Sequence, residues 1–324
     1  MSQQMRAWTM TAPLEFREKD VTRPQPADIP NGFVLLKVEA AGICGSDAPY
    51  ARGKKFPFPG TLDGDWLRPG QPCHEIVGIV QESRSDYVQA GQRMVGWATY
   101  FDGLCEYIVT EAAGLYAVPE DLSPAEAVIL QPLACIINAV RRIGAVSAKR
   151  CAVIGLGPIG LLFTQVLRTS GAEVVVGIDS LDRAAIAATL GADEVVRSTS
   201  ADYAERLAAG DRFDIVIEAV GHQAGTLNDA IQIAAMAGII YGFGVPDEQI
   251  YPIDYLSIFR KNLTLMSADT QHRRDALAEA VAYLAKYPQL SALVTSVFGF
   301  DQVPEAYVEA LRQASARLKV VIVR

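Results

Sequence analysis

Up to about residue 120 the chain alternates short apolar runs with glycine and proline: FVLLKVEAAGI, EIVGIVQES, QRMVGW, CEYIVT and LYAVP. Runs of this length bounded by turn residues predict strands, and several in succession predict a barrel or sandwich. After Ser123 the rhythm changes. SPAEAV places Glu126 three residues beyond a capping serine, the spacing of a capping box at a helix start. From Arg150 to about Ser267 strand-like and helix-like runs alternate: CAVIG, IGLLFTQVLRTSG, EVVVGID, DRAAIAATLG, FDIVIEAVG, TLNDAIQIAAMAG and IIYGFGV. That alternation predicts a doubly wound parallel sheet of the Rossmann type. The tail, DALAEAVAYLAKY, SVFGFDQVPEAYVEALRQ and KVVIVR, ends in a strand able to return to the first region. The expectation is an α/β protein with a Rossmann domain over 126–267. A mainly-β domain, a partly open barrel, is built from 1–125 and 268–324.

Length agrees with two domains, since 324 residues exceed a typical single core. A formal net charge of -8 argues against a nucleic-acid or anionic-membrane surface. MSQQMRAWTMTAPLEF has no continuous apolar core, so no secretory signal is expected there. AEAVILQPLACIINAVRR is too short for a membrane span and carries Gln131 and Pro132. Five cysteines without repeated spacing do not make a disulfide framework, and a reducing, cytoplasmic setting is expected.

CAVIGLGPIGLL contains G-x-G-x-x-G as Gly155, Gly157 and Gly160. The hexad alone is weak. Here an apolar strand precedes it, an apolar helix follows, and a second strand ends in Asp179 about twenty residues on. The first glycine permits the tight turn and the second lets backbone N–H groups approach a pyrophosphate. The third lets helix pack on sheet, and the helix N-terminus attracts the anion. Pro158 suits the first helical turn, where a missing N–H costs little, with Ile159 beside it. Asp179 would accept hydrogen bonds from the adenosine ribose. Against a 2′-phosphate at about 4 Å it would cost on the order of 4 kcal/mol per charge pair at an effective dielectric of about 20. NAD is therefore expected over NADP. Arg183 is a candidate cofactor contact that would partly offset the repulsion, or a solvated helix charge.

GQPCHEIVG holds His74, one of three histidines, between Cys73 and Glu75. Upstream, AAGICGSDAPY clusters Cys44, Ser46, Asp47 and Tyr50 after a predicted strand. By default such a cysteine is a small buried hydrophobe. Taken with a downstream dinucleotide fold, however, GICGSD and HEIVG point elsewhere. Together with GQRMVG, CEYIV, QPLACIINAVRR, GLGPIGLL, IEAVG and QVPEAY, they make the chain resemble the zinc-containing medium-chain dehydrogenases and reductases. The resemblance runs nearly full length and is strongest to the sorbitol (polyol) and threonine dehydrogenase branch.

The resemblance implies that Cys44 and His74 ligate one catalytic zinc, with Glu75 a ligand or neighbouring carboxylate. It implies that Ser46 touches the substrate oxygen and starts the proton relay, with Tyr50 a candidate substrate contact. Val220 in IEAVG and Gly244 in IIYGFGV are expected beside the cofactor. Zinc favours thiolate and imidazole, and a catalytic site leaves one position for water or alcohol. Several positions depart from the branch. Cys73 replaces the usual glycine before the histidine, as a bystander or a spare ligand. Gln131 in QPL stands where the branch has glutamate, so the third zinc ligand is Gln131, Glu75 or Cys73. The relay histidine is absent, with Pro49 near its place. The four-cysteine lobe of a structural zinc is missing and Cys105 stands alone. The segment between Cys44 and His74 is a few residues longer than usual. Its YARGKKFPFPGTLDGDWLRPG would shape the substrate mouth or lie solvated, and Lys54 and Lys55 would favour an anionic substrate or simply be solvated. His222 and His272 read as loop or solvent histidines.

The expected activity is zinc-dependent, NAD-linked oxidation of a secondary alcohol in a polyol, sugar derivative or amino alcohol, or the reverse reduction of the ketone. The expected assembly is a homodimer or homotetramer, without nucleic-acid or membrane partners. Two alternatives stand beside it. One is a zinc-free enone or quinone reductase of the same fold; the other is a non-enzymatic NAD-binding protein with a decayed metal site.

Overall fold

The computed structural model describes residues 3–54, 68–267 and 269–324. The chain divides into two compact units, Met1–Ala134 with Gln271–Arg324, and Cys135–Thr270. The first break falls inside the helix Leu130–Ile143, later than the change of rhythm at 125/126.

In the first unit the strands are β1 (Gln4–Ala12), β2 (Glu15–Thr22), β3 (Phe33–Ile43), β4 (Glu75–Ser83), β5 (Arg93–Trp97), β6 (Tyr107–Glu111) and β7 (Leu115–Ala117). In the second unit they are β8 (Arg150–Ile154), β9 (Val174–Asp179), β10 (Glu194–Arg197), β11 (Phe213–Glu218), β12 (Ala234–Gly242) and β13 (Thr264–Met266). The chain then returns to the first unit with β14 (Val294–Gly299) and β15 (Lys319–Val323).

β1 and β2 form an antiparallel hairpin that the sequence rhythm does not announce. The reason is visible in β2, EFREKDVT, whose mostly exposed residues lack the apolar alternation of a half-buried strand. The other strands of this unit form a sheet ordered β14-β15-β3-β4-β5-β7, with β6 also paired to β3. β3 is the hub. Its first half pairs with β6, its last residues pair with β15, and β4 runs antiparallel along it. Apolar side chains on its first half, Val34, Leu36 and Val38, pack with Met5, Ile76, Val80, Met94 and Ile108. Ala41 and Ile43 at its end pack with Trp8, Phe16, Tyr307 and Ile322. The capping box forms as expected, Ser123 Oγ accepting from Glu126 N–H at 3.3 Å and Glu126 Oε2 from Ser123 N–H at 3.1 Å. The helix it caps, Pro124–Ala127, packs on β3, β4 and β15 and keeps this part of the chain with the first unit.

The second unit is a fully parallel sheet ordered β10-β9-β8-β11-β12-β13. Strand order reverses between β8 and β11, and such switch points open a crevice at the carboxyl ends of the strands. One expected helix is shorter than its sequence suggests. TLNDAIQIAAMAG is helical only within Gly225–Ile233, and Ala234 already begins β12. Alanine and methionine favour helix locally, but pairing of β12 with β11 overrides that weak preference. Ala237 takes a positive φ of 57° there, and the register with β11 shifts between Phe213 and Ile215. No helix among the described residues is long and apolar enough to cross a membrane.

Candidate active site

β3 ends at Ile43, and the next residues turn tightly through Gly45–Asp47 before the short helix Ala48–Ala51. The turn folds back on a buried carboxylate. Asp47 Oδ2 accepts the N–H of Cys44 at 2.9 Å, while Asp47 Oδ1 lies 3.1 Å from Nδ1 of His74. His74 precedes β4, its carbonyl accepting from Ala98 N–H at 2.8 Å and its ring meeting Phe101 edge-on at 5.2 Å between centroids. With Nδ1 engaged by Asp47, Nε2 is the ring nitrogen left to a metal. Cys44 Sγ, a ring nitrogen of His74 and a carboxylate oxygen of Glu75 all lie within 4.8 Å of one another. Thiolate with imidazole suits zinc, and a histidine ligand is ordinarily held by a carboxylate at its other nitrogen. The donor set fits the metal that the resemblance implies. Burial opposes the charged imidazolium, but the Asp47 carboxylate and the Cys44 side chain outweigh it and raise the His74 pKa well above the usual range. A metal at this histidine competes with that proton.

Ser46 is half-buried in the turn and Tyr50 is buried in the helix after it. Burial first, then the Asp47 charge, pushes the Tyr50 hydroxyl far above its ordinary pKa, so it stays protonated as a hydrogen-bond donor. Cys73 is not among the three converging ligands. It is fully buried, its thiol donates to the Gly42 carbonyl at 3.4 Å, and it packs with Trp8, Leu104 and Tyr307. Cys105 is likewise a core residue. Gln131 is buried in the first turn of Leu130–Ile143, its N–H donating to the Val128 carbonyl at 3.3 Å. Residues 55–67, which include Lys55 and most of the lengthened segment, lie outside the described residues.

Two residues of this site take roles that the sequence did not assign. Asp47 sits in the quoted GSD, and the signal was a histidine that needs a carboxylate behind it. The other is Lys319, whose ammonium reaches Glu75 from the last strand of the chain. Its only trace in the sequence is a lysine opening the apolar run KVVIV.

The dinucleotide loop of the second unit follows from three different glycine geometries. Gly155 has φ +88°, and a Cβ there would sit 2.6 Å from Val220 Cγ2. Gly160 faces the Gly155 carbonyl oxygen so closely that any Cβ would overlap it. At Gly157, by contrast, a Cβ would meet nothing within 4 Å. Gly157 caps the helix Pro158–Thr169, so its open side lies at the positive end of that helix, where a pyrophosphate fits. Asp179 ends β9 with Oδ2 accepting Leu156 N–H at 2.6 Å and Oδ1 accepting Leu181 N–H at 2.7 Å. It thus braces the loop and retains lone pairs for a ribose. Arg183 is 3 % exposed, which overturns the reading of a solvated helix charge. Burial lowers its pKa and Asp179 opposes that shift. Glu218 is a further residue that sequence reasoning missed. Its Oε1 accepts Val220 N–H and Gly221 N–H at 2.9 Å each and the Thr226 hydroxyl at 3.0 Å, and its carbonyl accepts Gly244 N–H at 3.0 Å. A Cβ on Gly244 would overlap Gly221 N. Val220 and Gly244 are thereby held together after β11 and β12. His222 is half-buried in that loop and His272 is exposed.

Residues 30–123 match the alcohol dehydrogenase GroES-like domain family, and residues 158–286 match the zinc-binding dehydrogenase family. The chain is 27% identical to an L-threonine 3-dehydrogenase of Pyrococcus horikoshii over 99% of each chain. It is also 27% identical to a D-altritol 5-dehydrogenase of Agrobacterium fabrum, over 83% of this chain and 86% of the relative. Among solved structures, one described as a short chain alcohol dehydrogenase from Escherichia coli CFT073, complexed with NADH, superposes with a TM-score of 0.80. It shares 22% identity and the match covers 99% of both chains.

Proposed function

We propose that this chain, which belongs to the zinc-containing medium-chain dehydrogenase/reductase superfamily in its polyol and threonine dehydrogenase branch, is a zinc-dependent, NAD-linked dehydrogenase of secondary alcohols. The substrate class is a polyol, a sugar derivative or an amino alcohol. The observation that carries the reading is the convergence of Cys44, His74 and Glu75 within 4.8 Å, with Asp47 behind the histidine.

Cys44 and His74 hold the metal, the amide oxygen of Gln131 is the candidate to complete the protein's share, and the Glu75 carboxylate lies beside them. A zinc ion held there supplies Lewis acidity and lowers the pKa of the substrate hydroxyl. Ser46 would take the hydroxyl proton as the first acceptor, and with Pro49 near where a relay histidine is usual, the cofactor ribose and water would supply the onward path. Tyr50 orients the substrate by donating a hydrogen bond. The helix N-terminus at Gly157 and Pro158 takes the pyrophosphate, Asp179 the adenosine ribose, and the braced Val220 and Gly244 line the nicotinamide side. A nicotinamide cofactor held there would supply the hydride acceptor for the alcohol carbon. A homo-oligomer is supported by exposed Tyr255, Leu256 and Phe259 on the helix Tyr255–Lys261, in the unit whose sheet ends at edge strand β13.

A screen of NAD⁺ reduction across polyols, sugar acids and amino alcohols, run with metal analysis of fresh protein, tests the reading. Expected are one zinc per chain and turnover of a secondary alcohol. Cys44→Ser and His74→Ala each abolish metal and turnover while NAD binding persists. Turnover in protein that binds no metal, before or after zinc reconstitution, would overturn it.

A further inference from the structure

We propose that Lys319 is a positioning residue of the metal site: it holds the Glu75 carboxylate in a buried ion pair and so keeps that carboxylate off the metal. The inference rests on the zinc dehydrogenase reading above and names the part of the chain that sets the coordination number.

The pair depends on strand order. β15, β3 and β4 are consecutive in the sheet, with Glu75 opposite Gly42 across β3 and β4, and Val320 opposite Ile43 across β15 and β3. Lys319 and Glu75 therefore start on strands separated by a third, about 10 Å apart at the usual strand spacing. Only long side chains can meet across that gap, and they can do so only if the strand between them is bare at the crossing. It is. A Cβ on Gly42 would overlap Glu75 Oε2 and Val128 Cγ1, and would lie 3.1 Å from Lys319 Cε. The Lys319 ammonium donates to Glu75 Oε1 and lies in ion-pair contact with Oε2, which has no hydrogen-bond partner, and it also donates to the Ile43 carbonyl at 3.1 Å, one residue before Cys44. Lys319 is 3 % exposed and Glu75 0 %.

Glu75 is within reach of the metal group but already has a cation. With Lys319 present, the carboxylate and the ammonium cancel, and a zinc held by the Cys44 thiolate keeps a surplus positive charge and a position open to substrate. With Lys319 made apolar, the metal becomes the nearest cation to a buried carboxylate that has no other exit. Buried charges seek a partner, so Glu75 would turn to the metal.

Cobalt-substituted full-length protein reads this directly, because cobalt bands report coordination number and the rate of loss to a chelator reports how firmly the metal is held. Glu75→Gln is expected to leave the wild-type bands unchanged, since the carboxylate is off the metal, and to speed stripping, since the buried Lys319 ammonium is left uncompensated beside the metal. Lys319→Met is expected to shift the visible bands and slow stripping at least tenfold, as a carboxylate joins the metal. Lys319→Arg and the double variant Lys319→Met with Glu75→Gln are expected to restore wild-type bands and rate. The double variant removes both charges together, so it gives an answer even where the single lysine variant does not fold. Altered bands in Glu75→Gln, or a double variant that does not match the wild type, would overturn the proposal. Unchanged bands and rate in folded Lys319→Met would do the same. Wild-type protein that takes up no cobalt at all would instead overturn the zinc reading itself.

Discussion

Asp47 and His74 are 27 residues apart in the chain and 3.1 Å apart in space, carboxylate oxygen to imidazole Nδ1. The same carboxylate ties the Cys44 backbone at 2.9 Å, so one buried side chain orients both proposed metal ligands. Removing it should loosen both. Asp47→Ala is expected to weaken metal binding by about 10- to 100-fold, the usual effect of losing a carboxylate behind a histidine ligand. Chelator competition measures this, with NAD binding as the control. Unchanged metal affinity would mean that the turn is held by other contacts.

Gln131 is expected to be the weak corner of the metal site. With a thiolate, a neutral imidazole and a neutral amide, a zinc site carries a formal charge of about +1, against about 0 with a glutamate. Gln131→Glu should therefore resist chelation better. The lower charge also makes the metal a weaker acid toward a bound hydroxyl, so the alkaline limb of the rate profile should move to higher pH. Should Gln131→Glu and Gln131→Ala both leave chelator sensitivity and pH profile untouched, the amide is no ligand.

Asp179 is expected to set cofactor preference for NAD over NADP. Asp179→Ser should erode that preference tenfold or more, about 1.4 kcal/mol. Because Asp179 also accepts the Leu156 and Leu181 N–H groups, the variant should raise KM for both cofactors as the loop loosens. Equal kcat/KM with NAD and NADP in the unaltered enzyme would remove the basis for this expectation.

Asp102 should make stability fall as pH rises. Its Oδ1 is shut off from solvent without a hydrogen-bond partner, and burial pushes the carboxyl up to about 7, against the lowering effects of a backbone hydrogen bond and of Arg68. The folded chain thus holds a proton that the unfolded chain releases near pH 4. Folded protein binds more protons between pH 4 and pH 7, so stability declines across that window and the penalty is complete above it. Asp102→Asn should be more stable than the wild type at pH 8, by on the order of 2 kcal/mol because other atoms of the residue reach solvent, and about equal at pH 4. Urea melts at the two pH values measure it, and a difference independent of pH would refute it.

What could be read along the chain was what lies together along the chain. The glycine hexad, the strand before it, the helix after it and Asp179 occupy one stretch, because a strand, turn and helix that bind a pyrophosphate must be contiguous. FVLLKVEAAGI and EIVGIVQES match β3 and β4 because their apolar residues meet a buried sheet. Cys44 and His74 were singled out only through the family resemblance that GICGSD and HEIVG carry, since by local pattern alone each reads as an ordinary residue beside a strand. Tertiary structure decided the rest. The charged strand β2 finds its place only by pairing with β1, and AAMAG leaves its helix only because β11 offers hydrogen bonds. Glu75 is adjacent to His74 in sequence, but its partner Lys319 lies 244 residues away. Their meeting depends on β15 inserting beside β3, with a glycine at the crossing. No local pattern records the order in which strands pair, and electrostatics acts through space; the charge pairing beside the proposed metal site was therefore decided by the fold.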